Sequence, residues 1–113
     1  VFPGTAENMI ALEDKLLKNE YTGRMQRVDA MLSNWEAIVG VLEKAPDPDE
    51  LEKILKSSGM PTKARDIGLS EDDVADAFVC SRDTRDKYLT SSMIWDLGYM
   101  DEFEAWIRED YHN

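Results

Sequence analysis

Histidine and cysteine are almost missing from this 113-residue chain, which holds one of each, His112 and Cys80. A single cysteine leaves no internal disulfide and fits a reducing compartment, so the chain is expected to be cytoplasmic. One histidine at the penultimate position and a cysteine more than thirty residues away leave no clustered ligand set for zinc or another transition metal. The same scarcity leaves no Ser-His-Asp or Cys-His arrangement, and Cys80 reads as a small core residue. No glycine-rich GxGxxG or Walker-type loop is present to cradle the phosphates of a nucleotide. No run approaches the roughly 20 apolar residues of a membrane span. No alternating apolar stretch is long enough to claim a strand.

Bases are also scarce: 13 Lys and Arg stand against 24 Asp and Glu, for a formal charge of -11. Such a field repels phosphate backbones and anionic lipid surfaces, which excludes nucleic acid and membrane as expected partners. The length fits one domain over residues 1–113. The first residue is Val1, with no initiator Met and no signal-peptide pattern, so the chain is expected to be processed or a piece of a longer protein.

What is present is helical periodicity broken by caps, and it predicts an all-α fold, a compact bundle of about five to seven helices with short capped connections. Thr5 opens a first helix to about Lys18, and Asn19 to Gly23 reads as a break or a weak turn. Met25, Val28, Met31, Leu32, Trp35, Ile38, Val39 and Leu42 recur at three- and four-residue steps, which predicts one long central helix. Trp35 and Trp106 are expected in the core, so that Trp35→Ala costs about 3 to 5 kcal/mol. Asp47 and Pro48 start a helix that buries Leu51, Ile54 and Leu55; Gly59 and Pro61 end it. A short helical turn closes on Gly68. Ser70 and Asp73 form a capping box for a helix to about Asp83, burying Val74, Ala77, Phe78 and Cys80. A helix from about Lys87 to Leu97 stops at Gly98, and Asp101 with Glu104 starts the last one, which carries Phe103, Trp106 and Ile107.

The acidic clusters need no metal. Asp47, Asp49 and Glu50, like Asp72, Asp73 and Asp76, sit in the opening turns of helices, where the positive pole favours carboxylates, and neither set has the ligand alternation of a calcium loop. Arg82, Arg85 and Lys87 are three cations within six residues, beside Tyr88 and Trp95. They either complement the negative pole of the preceding helix or let Arg85 and Tyr88 face an anionic group or a partner domain.

Several of these segments carry a family resemblance. Gly59-Met60-Pro61-Thr62, Asp66-Ile67-Gly68-Leu69, the cap Ser70, and the run from Thr84-Arg85-Asp86-Lys87-Tyr88 to Trp95-Asp96-Leu97-Gly98 occur in the order found in sn-glycerol-1-phosphate dehydrogenases. Asn34 to Glu43 is similar to an upstream helix of the bacterial members. The resemblance covers residues 24–107 and points to the carboxyl-terminal helical domain of that family, a branch of the dehydroquinate-synthase-like and iron-containing alcohol dehydrogenase group. Leu89 replaces the threonine that follows the tyrosine in the family, and Ser91-Ser92 stand where apolar residues are usual.

The resemblance implies a parent enzyme that interconverts dihydroxyacetone phosphate and sn-glycerol 1-phosphate with NAD(P) and a divalent metal. It implies an amino-terminal dinucleotide-binding domain as partner and assembly into a homo-oligomer. The residues that would hold cofactor and metal are not in this chain, so no catalytic, cofactor-binding or metal-ligating residue is assigned. Arg85 and Tyr88 are the candidate cleft or interdomain contacts. Two other readings stay open: a free-standing acidic helical module that binds a protein, and the equivalent domain of a glycerol dehydrogenase or dehydroquinate synthase.

Overall fold

In the computed structural model, residues 4–84 and 86–113 are described, and all their regular structure is helical. Seven α-helices run in order: α1 Ala6–Leu16, α2 Tyr21–Ser33, α3 Trp35–Leu42, α4 Pro48–Ser57, α5 Glu71–Ser81, α6 Thr90–Leu97 and α7 Met100–Tyr111. A single 3₁₀ turn, Ala64–Ile67, precedes α5. Together they form a flattened bundle of 46 × 40 × 22 Å.

The caps act as their chemistry requires. Asp47 accepts from the backbone N–H groups of Asp49 and Glu50, with Pro48 in the first turn where its missing N–H costs nothing. Ser70 and Asp73 exchange hydrogen bonds across the start of α5. After α4, Gly59 takes φ of 76° while its N–H donates to the Lys56 carbonyl and that of Met60 to Leu55. This crossed pair of bonds is open to glycine because a Cβ would crowd the left-handed backbone.

Other boundaries differ from the expectations. The predicted long helix is interrupted at Asn34 (φ -120°, ψ 20°), which separates α2 from α3. The Asn34 amide side chain donates to the Ala30 carbonyl, a local bond that competes with helix continuation. The break between the first two helices falls at residues 17–20, and Glu20 caps α2 by accepting from the N–H groups of Thr22 and Gly23. Residues 87–89 are not helical, and α6 begins only at Thr90, where the Ser92 hydroxyl accepts from the Leu89 N–H. The last helix starts at Met100, one residue before Asp101.

The core lies where α5 meets α7 and where α6 meets α2 and α7. Ala75, Ile94, Met31 and Met100 are its buried apolar residues. Ala75, not Ala77, is the inward small residue of α5: Ala77 is exposed, while Val74, Phe78 and Cys80 are half-buried. Trp35 and Trp106 are exposed rather than central, and so are Leu51 and Ile54 of α4. Their helices have the expected apolar stripe, but among the described residues no neighbouring element covers these side chains.

Candidate functional site

Arg24 and Arg27 are three residues apart on α2, so their side chains leave the same face. That face meets the end of α6. A helix terminus leaves its last carbonyls unpaired, and Arg24 satisfies them: Nε donates to the Asp96 carbonyl at 3.1 Å, and Nη2 donates to the carbonyls of Trp95 and Asp96 at 3.2 and 3.0 Å. Arg27 takes the Asp96 side chain in a two-point grip, Nε to Oδ2 at 2.6 Å and Nη2 to Oδ1 at 3.0 Å. Its Nη2 also donates to the Lys18 carbonyl. Tyr88 completes the set by donating its hydroxyl to Asp96 Oδ2 at 2.8 Å.

Asp96 is therefore almost fully buried, 3% exposed, with both oxygens bonded. Burial pushes its carboxyl upward, but hydrogen bonds from Arg27 and Tyr88 outweigh that and hold it below the ordinary carboxylate value. Tyr88 moves the other way. Burial, then donation to the Asp96 carboxylate, raises its hydroxyl well above the ordinary phenol value, so it stays a neutral donor at physiological pH.

Cations also surround Trp95. The guanidinium carbons of Arg24 and Arg82 lie 4.5 and 4.0 Å from its ring centroid, within the range where cation–π attraction operates. Arg82 donates further to Asp83 Oδ1 and to Asn19 Oδ1. Lys18 bonds the buried Glu13 carboxylate at 2.6 Å and donates to the Arg82 carbonyl, which ties α1 to the end of α5. These groups wall a pocket of about 250 Å³ lined by Lys18, Arg27, Arg82, Tyr88, Trp95 and Asp96, among others.

Tyr88 thus reaches this cluster, whereas Arg85 lies outside the described residues. Cys80 sits half-buried on α5. His112 pairs with Glu71 at 2.9 Å, and Arg108 joins Glu71, Asp72 and Glu104, which draws the acidic start of α5 onto α7. Ser91 is buried with its hydroxyl bonded to that of Ser81, which links α6 to α5. Sequence reasoning missed Arg24, Arg27 and Asp96 as a unit. One signal was available: an aspartate in the last turn of α6 opposes the helix dipole and calls for a cationic partner.

The arrangement favours holding over reacting. A carboxylate with a lowered pKa is a weak base, and a tyrosine with a raised one is a poor nucleophile. Among the described residues no group of three or more His, Cys, Asp or Glu is placed to hold a metal ion. With no dinucleotide loop in the sequence either, these residues do not fit NAD(P) or a catalytic metal. No described helix is long and apolar enough to cross a membrane. In comparisons with family models, curated proteins and solved structures, the chain matches none.

Proposed function

We propose that this chain is the distal part of the helical domain of an NAD(P)-dependent dehydrogenase of the sn-glycerol-1-phosphate type, catalytically incomplete by itself. Cofactor and metal would be held by the amino-terminal dinucleotide-binding domain and the upstream helices of the parent. The resemblance across Gly59 to Thr62, Ile67 to Leu69 and Lys87 to Gly98 supports the family. The structural observation that carries the incompleteness is uncovered apolar surface. Tyr99, at the start of α7, and Phe103 and Trp106 on it form an exposed stripe, and Leu51 and Ile54 another on α4. The accessible surface is 8482 Å² for 12.9 kDa, against about 6,300 Å² expected of a folded monomer of that mass. The excess, about 2,200 Å², is the size of a substantial interface.

In this reading the Arg24–Arg27–Asp96–Tyr88 cluster braces α6 so that the α5–α6 corner meets the rest of the enzyme in fixed geometry. Cytoplasmic location and homo-oligomeric assembly belong to the same proposal. The test is the encoding reading frame and its full product. The frame should specify a dinucleotide-binding unit and an Asp, His, His metal set, and the product should oxidise NAD(P)H with dihydroxyacetone phosphate. Activity on glycerol or on a heptulosonate phosphate instead would assign a sister branch. A frame without the dinucleotide unit would refute the dehydrogenase reading.

A further inference from the structure

Met9, Ile10 and Glu13 lie three and four residues apart on α1, within one continuous helix, so they share a face. An apolar residue would complete this stripe, yet position 13 carries a carboxylate, and it is buried, 9% exposed. Lys18 takes one of its oxygens, Oε1, at 2.6 Å. The other, Oε2, is buried with no hydrogen-bond partner, the one side-chain nitrogen or oxygen in that condition among the described residues. A buried acceptor that has given up water without gaining a donor is destabilising, so it favours a ligand that brings one.

Glu13 lines a crevice of about 360 Å³ between α1 and the end of α5. The charged residues of its lining are all carboxylates, Glu13, Asp14 and Asp83. Asp83 gives Oδ1 to Arg82, while Asp14 is exposed and belongs to no ion pair found among the described residues. With Glu13 paired to Lys18 and Asp83 to Arg82, the local excess is a single negative charge. Met9, Ile10 and Cys80 supply apolar wall.

We propose that this crevice binds a small free organic monocation, a primary ammonium on an apolar stem, with the ammonium at Glu13 and Asp14 and the stem against Met9, Ile10 and Cys80. The unpaired oxygen selects an N–H donor, which a quaternary ammonium lacks. The excess charge matches one cation. Apolar walls favour a stem over a hydrated inorganic ion, and no group of three or more carboxylates among the described residues is placed to ligate a metal. The volume lies at the low end of small-molecule sites. This inference stands apart from the dehydrogenase reading, since it uses no residue of the family segments.

The test is a nuclear magnetic resonance titration of the isotope-labelled chain with n-pentylamine hydrochloride at neutral pH, where the amine is protonated, beside n-pentanol and magnesium chloride. The amine should shift the amide signals of Met9, Glu13, Cys80 and Asp83 saturably and bind one to one. The alcohol should bind about tenfold more weakly or worse, through loss of the charge-assisted bond. Glu13→Gln should weaken amine binding by about tenfold or more. Asp14→Asn, at an exposed position, should weaken it by about threefold through loss of a partly screened charge, and it serves if circular dichroism shows that Glu13→Gln has lost helix. Glu102→Gln, which removes the same charge from the exposed start of α7, should leave binding within about twofold. The proposal is overturned by no saturable shift, by alcohol binding as tight as the amine's, by displacement of the amine by magnesium at equal concentration, or by equal losses for Asp14→Asn and Glu102→Gln. Tighter binding of Nα-acetyl-lysine amide than of n-pentylamine would overturn it as well, by making the occupant a side chain of another protein.

Discussion

The α2–α6 junction and the α3–α4 limb are both built from amphipathic helices, yet they differ in what their stripes meet. At the junction, Ile94 and Met31 are buried, and Arg24, Arg27 and Tyr88 converge on a hidden carboxylate. On the limb, Ile54 is 64% exposed and Val41 67%, and the bonds that tie α4 are local ones to Thr62, Lys56 and Lys63 around Glu52. A helix is fixed by what its apolar face reaches. Amphipathicity alone leaves it available to another chain.

The comparison can be broken most sharply at Asp96. Asp96→Ala strands two arginine contacts and the Tyr88 hydroxyl, and should cost about 3 kcal/mol in urea denaturation, the scale for breaking a buried ion pair. Ile94→Ala should cost about 2 to 4 kcal/mol through cavity formation in the same junction. Tyr88→Phe removes one hydrogen bond to a charged group and should cost about 1 kcal/mol. On the limb, Trp35→Ala and Ile54→Ala should each cost under about 1 kcal/mol, because exposed side chains lose little on truncation. Losses there as large as at Ile94 would erase the distinction.

Titration sharpens the contrast further. Asp96 has a lowered pKa in the fold, so its contribution is present above the ordinary carboxylate range and is lost as pH falls through its folded value. Tyr88 has a raised one, so its contribution holds below about pH 10 and is lost as pH rises beyond it. Thermal melts should show the penalty of Asp96→Asn shrinking in acid and that of Tyr88→Phe shrinking in strong alkali. A penalty that stays constant across either range would mean that the group is not bonded as described.

Much of the secondary structure was legible because caps are local chemistry. Asp47 with Pro48, Ser70 with Asp73, and the glycines at 59, 68 and 98 each declare a helix end within four residues. The end of α1 was less legible, since Leu17 takes the left-handed conformation at φ 51° that glycine usually marks. Of the candidate site, Tyr88 was singled out as a cleft or interdomain contact, whereas its hydrogen bond is to Asp96 of the same chain. Its partner Arg27 was not, because 61 positions of sequence separate them and only packing brings them together.

By itself the sequence determined that this protein is helical, acidic and capped at defined points, since periodicity, charge and cap chemistry act within a turn or two of chain. It also determined which side of each helix is apolar. Only the tertiary structure decided which of those sides are covered. It buried Ala75 rather than Ala77, buried Asp96 beneath two arginines and a tyrosine, and left Trp35, Leu32 and Trp106 facing outward. The physical reason is that burial depends on whether a neighbour arrives, and among the described residues none covers the exposed apolar side chains of α2, α3, α4 and α7.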